Sequence, residues 1–217
     1  YQVYTVDAAG NLSAASSDTV TIVSSGATVS TVSLSADTGS SSSDFVTNVA
    51  SQTISGTLSA NLGAGETVQV SVNNGATWTT ATTTAGQANY SLSGVTLSGS
   101  STLQVRVVDA SNVPGTPLSQ AYVLDAAAPT SSVTTATISP NGSASVTSTE
   151  AGTAYLVNTS VAVNNLSNIT GAAGNLWNSV AVQANTATNL SAAGLTPGEY
   201  QVYTVDAAGN LSAASSD

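Results

Sequence analysis

The chain has 217 residues, 41% of them apolar, and a formal net charge of -10 that comes from eleven acidic residues and one basic residue, Arg106. It contains no cysteine, histidine or lysine, so catalysis by these side chains and metal sites built from thiolate or imidazole are excluded. A surface with this charge cannot neutralise phosphates, which excludes nucleic-acid binding, and no apolar run is long enough to insert into a membrane.

A repeat organises the chain. The eighteen letters of residues 1–18, YQVYTVDAAGNLSAASSD, return unchanged at residues 200–217, an offset of 199. An identity of this length indicates one period of a tandem array. The triplet Val6-Asp7-Ala8 also has an echo at Val108-Asp109-Ala110, so the period divides into two diverged modules of about one hundred residues, the size of an immunoglobulin-like sandwich.

This periodicity predicts the domain organisation. Residues 1–23 are interpreted as the last strands of a preceding module, with strands at 1–6 and 18–23 joined by a loop. Residues 24–125 form the first module, and residues 126–217 form the second, without its final strand. The predicted fold is therefore all-β: two tandem immunoglobulin-like β-sandwich modules in an extended rod, with a partial module at the N-terminus.

In the first module, alternating apolar residues predict strands at 29–35, 52–59, 66–73, 92–97 and 103–107, with a final strand at 118–124. The pair Asn74-Gly75 predicts a hairpin turn, since both residues tolerate positive φ. Trp78 follows on the returning strand, where a sheet-face position is expected. The threonine-rich residues 79–84 are interpreted as a solvent-facing strand; the alternative is a hydroxyl array that contacts ice or a polymer surface.

In the second module, strands are predicted at 132–138, 143–149, 153–158, 176–183 and 187–195, with a last one at 200–205. Residues 164–175 are rich in Asn and Gly and are not assigned. The segment LTPGEY at 195–200 predicts a tyrosine corner, in which the phenol of Tyr200 bonds back to the backbone.

The acidic residues carry the functional signal. A single arginine cannot pair with eleven carboxylates, so each of the others is either solvated, the ordinary state of a surface acid, or faces a cation. Sandwich topology brings the loop between the first two strands of one module to the same end as the linker and the near loops of the next. This predicts a calcium site at the junction, since Ca²⁺ accepts six to eight hard oxygen ligands. Its expected ligands are Asp37, Asp44, Asp125, Glu150, Asp206 and Asn210.

The opposite end of the first module is poorer in acids. Glu66, Asp109 and Asn112 are expected to face it, with Glu199 as a further candidate, so a weaker or single cation site is predicted there.

Five segments of the sequence resemble the immunoglobulin-like repeats of giant bacterial surface adhesins, including the extender modules of RTX and biofilm-associated adhesins: ADTGSSSSDFVTN, QTISGTL, VSVNNGATW, LQVRVVDAS and YVLDAAAP. TSTEAGTAYLV and YQVYTVDAAGN carry a looser resemblance in the second module. The resemblance implies secreted, calcium-rigidified spacers at the bacterial cell surface that hold a ligand-binding region away from the outer membrane. It places calcium ligands at Asp37, Asp44, Asp109, Asp125, Glu150 and Asp206. Where such repeats often carry an Asp in a strand hairpin, this chain has Asn73-Asn74.

Three functions are weighed. A structural spacer is favoured, because each copy of a tandem unit adds the same increment of length. The alternative is a ligand-binding module for a glycan or ice. An enzyme is the weakest reading, since the acids fall at module ends and not in a cleft, and no catalytic residues are assigned.

The repeat also predicts a partner other than the neighbouring modules of the array. An uncovered edge at residues 200–205 is a template for another chain. Residues 19–23 of a neighbouring molecule are expected to add to it, head to tail, in an open filament.

Overall fold

The structure is a computed structural model that describes residues 2–15, 26–84, 86–134 and 137–215. Within these residues the chain forms fifteen strands and one short helix, so it is nearly all-β. The strands make four sheets, and each pair of sheets encloses its own hydrophobic core. The predicted class of tandem immunoglobulin-like sandwich modules is confirmed.

The first module contains two sheets, ordered β1-β3-β7-β6 and β2-β9-β8-β4-β5. Their pairings are antiparallel except for β2 with β9, which is parallel. Leu103, Val105 and Val107 of β8 are buried and alternate with the outward Gln104 and Arg106, as predicted. The strands are β1 (Ser33–Leu34), β2 (Val46–Thr47), β3 (Ser51–Thr57), β4 (Thr67–Ser71), β5 (Thr79–Thr80), β6 (Thr82–Thr83), β7 (Asn89–Thr96), β8 (Ser101–Val108) and β9 (Leu118–Leu124).

The second module contains two three-stranded sheets, ordered β10-β11-β14 and β13-β12-β15. Val146, Ala154, Leu190 and Val202 have no exposed surface and form the centre of the core between them. The elements are β10 (Ser131–Val133), β11 (Ser143–Ser148), β12 (Gly152–Asn158), α1 (Leu166–Thr170), β13 (Trp177–Val182), β14 (Thr188–Ser191) and β15 (Tyr200–Asp206).

The tyrosine corner is present. The Tyr200 hydroxyl donates to the Thr196 carbonyl oxygen at 2.6 Å, four residues upstream. The first module has Leu103 at this point, which packs into the core instead. The corner therefore fixes the entry into β15 in the second module alone.

Helix α1 lies in the stretch that the sequence left unassigned. Asn165 caps it: its side chain accepts from the Asn168 N–H, and the Asn168 side chain accepts from the Asn165 N–H. The capping box uses Asn in both positions, where Ser or Thr followed by Glu is the usual signal. Ile169 is fully buried and holds the single turn in place.

The threonine-rich run does not form one array. Thr79–Thr80 (β5) belong to the five-stranded sheet and Thr82–Thr83 (β6) to the four-stranded sheet, and the chain crosses between them at the buried Ala81. Hydroxyls divided between two sheets cannot present a single regular lattice. The threonines face solvent as expected, but the prediction of one strand over residues 79–84 was wrong. A single hydroxyl array for ice or a polymer surface has no structural basis at these residues.

The two copies of the repeated segment differ in structure. In the second copy, Tyr200–Asp206 pairs with β12 along its whole length, whereas the described residues of the first copy form only an isolated bridge between Val6 and Leu12. Residues 2–6, predicted as part of a strand, therefore form no strand in this structure. The predicted strand at 18–23 lies outside the described residues.

We expect Val202→Ala to lower the unfolding free energy of the second module by about 2 kcal/mol, because it removes buried methyl groups and leaves a cavity. Val3→Ala makes the same change in the identical sequence, at a side chain 52% exposed. It should remain within about 0.5 kcal/mol of the wild type. Denaturant unfolding followed through Trp177, in a Trp78→Phe background, measures both variants. Equal losses would contradict the difference in environment between the two copies.

Candidate metal site at the module junction

Three carboxylates meet where the second module joins the first. Asp125 directly follows β9, Glu150 lies in the turn between β11 and β12, and Asp206 is the last residue of β15. One ligand oxygen from each lies within 4.8 Å of the others. Asp206 is buried and the other two are half-buried. We call this group the junction triad.

The turn after β15 positions Asp206. Its Oδ1 accepts from the backbone N–H groups of Ala208 and Asn210, both at 2.9 Å. The Asn210 side-chain Nδ2 donates to Asp206 Oδ2 at 2.7 Å and to the Asp125 carbonyl oxygen at 2.9 Å. Asn210, predicted as an oxygen ligand, thus uses its amide nitrogen to tie this turn to the linker.

The same turn recurs in the chain. Asp7 accepts from the N–H groups of Ala9 and Asn11 and from the Asn11 side chain, and these Asn11 bonds, the largest contribution, hold the pKa of Asp7 below its usual range. Asp109 accepts from the N–H groups of Ser111 and Val113 at 2.8 Å. The turn is therefore specified locally, and only the copy at Asp206 lies in the triad.

The triad has no compensating base. Burial raises the pKa of Glu150, and the negative charges of Asp125 and Asp206 raise it further. Arg106 is the only basic side chain of the chain; it stacks on Trp78, with Cζ 3.8 Å from the ring centroid, and donates twice to Gln69 Oε1. Three carboxylates in this setting repel each other, and their hard oxygens fit a cation such as Ca²⁺.

Asp37 and Asp44 form a separate pair in the loop between β1 and β2. Asp37 Oδ2 accepts from the Phe45 N–H at 3.0 Å, while Asp37 Oδ1 is buried and has no hydrogen-bond partner. Burial, opposed by the Phe45 bond and reinforced by the charge of Asp44, raises the pKa of Asp37. Asp37 and Asp44 are not members of the junction triad, and the convergence of all five carboxylates on one ion stays a prediction.

That loop nevertheless touches the second module. Thr38 Oγ1 donates to the Ala208 carbonyl oxygen at 2.8 Å. A Cβ placed on Gly209, whose φ is +88°, would lie 2.5 Å from the Thr38 carbonyl oxygen. The sequence analysis missed Thr38, Ala208 and Gly209; a glycine after a predicted strand end was the only available signal.

Buried Gln52 fixes this loop on the side of the first module. Its Oε1 accepts from the Ala36 N–H and its Nε2 donates to the Ala36 carbonyl oxygen, both at 2.9 Å. Because Ala36 precedes Asp37 and Thr38, these bonds set where Thr38 meets the second module.

The acids at the other end of the first module are not brought together in the same way. Glu66 Oε2 accepts from the Gly63 N–H at 2.6 Å, and Asp109 holds the turn that contains Asn112. Among the residues that the structure describes, Asp125, Glu150 and Asp206 are the only acidic group of three close enough to share an ion.

Comparisons with known proteins agree with the fold. Residues 25–126 match the family model of the bacterial Ig-like domain, a match that spans the first module. No curated protein matches the chain.

Two solved structures are similar at low identity. One is described as a tetra-tandem repeat in the extending region of a large adhesion protein: 19% identity, 97% of this chain and 53% of that chain covered, TM-score 0.31. The other is the BSP domain of a biofilm-associated protein: 15% identity, 78% and 27% covered, TM-score 0.27. The chain thus spans about half the length of the first structure. No helix in the described ranges is long and apolar enough to cross a membrane.

In the metal-free protein, we expect Glu150→Gln to raise the melting temperature at neutral pH. The pKa of Glu150 is higher in the folded state than in the unfolded chain. Ionised Glu150 therefore destabilises the fold at pH values above its folded-state pKa. This destabilisation decreases as the pH falls towards the pKa that Glu150 has in the unfolded chain. The gain from Glu150→Gln should therefore disappear in acid, below the usual carboxyl range. Thermal unfolding in EDTA at both pH values measures it. A gain of the same size at both would show that the charge of Glu150 is not the cause.

Proposed function

We propose that the chain is a pair of spacer modules from the extender region of a repetitive, extracellular bacterial surface adhesin of the RTX or biofilm-associated kind, and that it projects a distal ligand-binding region. The observation that carries this proposal is the junction, where direct hydrogen bonds and a carboxylate cluster join two sandwiches end to end. A spacer needs a defined joint, because its reach depends on the angle at every junction. The unchanged repeat at an offset of 199 residues supports the same reading, since each period adds a fixed length.

Calcium is the proposed stiffening ion. Asp125 belongs to the linker, while Glu150 and Asp206 belong to the second module, so an ion held by all three would fix the linker against that module. It would supply the positive charge that the chain lacks at this point. The buried, unpartnered Oδ1 of Asp37 supports a second, separate cation position beside the pair with Asp44.

Two constraints then act at the joint. The ion would lock the linker to the second module, and the contact of Thr38 with Ala208 holds the first module against it. The joint angle is defined only when both are present, and they can be removed one at a time.

Calcium at about a hundred times its dissociation constant should stabilise the protein by about 2.7 kcal/mol, which is several degrees in melting temperature for a small module. Asp206→Asn keeps an acceptor for the two backbone N–H groups but removes the charge, so it should abolish most of this gain. Asp7→Asn is the matched control, because Asp7 makes the same turn in the first copy and lies outside the triad.

Thermal unfolding and small-angle scattering with calcium and with EDTA test this prediction. The wild type and Asp7→Asn should show a narrower distribution of shapes with calcium. Identical scattering curves in calcium and EDTA for the wild type would contradict the stiffening role. If Asp206→Asn and Asp7→Asn lost the calcium-induced stabilisation equally, the effect would belong to the turn and not to the junction triad.

We expect Gly209→Ala to loosen the joint in the presence of calcium, because its Cβ would collide with the Thr38 carbonyl oxygen. Gly10→Ala is the control: Gly10 has the same φ of +88°, but nothing lies within 4 Å of the position of its Cβ. In both variants the unfolding free energy should fall by about 1 kcal/mol, because alanine is strained at a positive φ. Only Gly209→Ala should broaden the shape distribution in scattering; broadening in both would assign the effect to backbone strain.

A further inference from the structure

We propose that the triplet Ala208-Gly209-Asn210 is a recognition element that allows a second module, and not a first module, to seat on the end of a first module. The observation behind this is that both modules build the same turn from two different triplets. This recognition deepens the proposed spacer function and rests on it, since it names the module that the joint accepts. It does not depend on which ion occupies the junction triad.

The turn at Asp109 in the first module corresponds to the turn at Asp206 residue by residue. In each turn the aspartate Oδ1 accepts from the backbone N–H groups of the second and fourth residues after it, at 2.8 Å in the first module and 2.9 Å in the second. The aspartate N–H donates to the carbonyl oxygen of that fourth residue, and an isolated bridge flanks the turn. The triplet Ser111-Asn112-Val113 therefore stands where the second module has Ala208-Gly209-Asn210.

Glycine in the middle of the triplet leaves room for the first module. Gly209 and Asn112 both have a positive φ, +88° and +65°, so the turn itself accepts either residue. A Cβ on Gly209, however, would lie 2.5 Å from the Thr38 carbonyl oxygen. Asparagine brings that Cβ with it, so the triplet of the first module cannot take the same position against Thr38.

The other two positions of the triplet also favour the second module. Asn210 Nδ2 donates to the Asp125 carbonyl oxygen at 2.9 Å, whereas the side chain of Val113 has no donor and is 58% exposed. Ala208 is 2% exposed, so Ser111 in its place would bury a hydroxyl, which destabilises the joint unless the hydroxyl is hydrogen-bonded. All three differences therefore oppose the seating of a first module.

The carboxylates of the junction triad follow the same division. Thr28 exchanges two hydrogen bonds with Ser59 in the first module, as Thr130 does in the second with the residue that precedes Glu150. Ala60 therefore stands where the second module has Glu150. A cation held by the triad would lose this ligand if a first module took the place of the second.

The loop that receives the triplet also distinguishes the two modules. Thr38, whose Oγ1 donates to the Ala208 carbonyl oxygen, lies between β1 and β2, in the segment of residues 35–50 that leads from β1 to β3. In the second module the shorter segment of residues 134–142 joins β10 to β11. The two ends are therefore complementary in one order, a first module followed by a second, and a joint in front of a first module needs other contacts.

Exchange of the triplet in this chain tests the proposal. One variant gives the second module the triplet that the first module accommodates in the same turn: Ala208→Ser, Gly209→Asn and Asn210→Val. The matched control makes the same change in the identical segment at residues 9–11, where none of the described residues comes within 4 Å of a Cβ on Gly10: Ala9→Ser, Gly10→Asn and Asn11→Val.

Spin labels measure the distance across the joint in these variants. The chain has no cysteine of its own, so Ala64→Cys and Asn141→Cys provide two labelling sites. Both positions are exposed, and they lie in the loops after β3 and after β10, on the ends of the modules that face away from the joint. The width of the distance distribution then reports how well the joint is defined.

We expect the exchanged triplet to replace the single narrow distance distribution of the wild type by a broad one, and the control to keep the narrow one. The proteins are compared with calcium and again with EDTA. A wild type that does not respond to calcium would contradict the stiffening ion but not the recognition. An exchanged variant that matches the wild type in both conditions, or a control that broadens equally, would overturn the recognition.

A longer chain gives the reverse test, which does not depend on the stability of the exchanged variant. Residues 28–129 are inserted again after Pro129, so that a first module follows a first module; the correspondence of Thr28 with Thr130 sets the point of fusion. The inserted copy carries Ala60→Glu, which restores the third carboxylate. Labels at Ala64→Cys of the original copy and at the exposed Ala76→Cys of the inserted copy span the new joint.

This joint should give a broad distance distribution in calcium. Three substitutions in the inserted copy should narrow it, because they supply the triplet of the second module: Ser111→Ala, Asn112→Gly and Val113→Asn. A narrow distribution before these substitutions, or a broad one after them, would overturn the proposal.

Discussion

The turn that begins at Asp206 is the constraint on which the junction depends. One carboxylate accepts two backbone N–H groups and a side-chain amide, and this fixes both the direction of the chain after β15 and the position of the carboxylate itself. The same turn forms at the exposed Asp7 through bonds to Ala9 and Asn11, so its geometry does not require the junction. A preformed turn can dock against Thr38 and the linker at a low entropic cost.

Features with a local cause were predictable from the sequence. Alternating apolar residues located β8 and β9, the hairpin signal located the return after β4, and LTPGEY located the tyrosine corner. Sandwich topology then predicted that the loop at Asp37–Asp44, the linker and the turn at Asp206 meet at one end. The contact of Thr38 with Ala208 and the grouping of Asp125, Glu150 and Asp206 agree with that prediction.

Features that depend on distant partners or on side-chain direction were not predictable. Asp37 lies in the expected loop, yet its carboxylate accepts a hydrogen bond from the Phe45 N–H. The backbone conformation of the loop therefore determines where this carboxylate lies. The segment QVYTV has one set of propensities and two structures, at residues 2–6 and 201–205, because strand formation depends on the neighbour that β12 provides. The threonine-rich run has the sequence of one strand, but its two halves pair with different sheets of the first module, and the chain crosses between them at the buried Ala81.

The position of Arg106 has a consequence for how such chains behave side by side. It is the only basic residue, and it already stacks on Trp78 and donates to Gln69, so the carboxylates of a neighbouring chain far outnumber the cations available to pair with them. Parallel chains would therefore behave as like-charged polymers that repel over about 8 Å at physiological ionic strength. A dense layer of them would spread and stand upright in dilute salt, and it would become compressible as ions screen the repulsion.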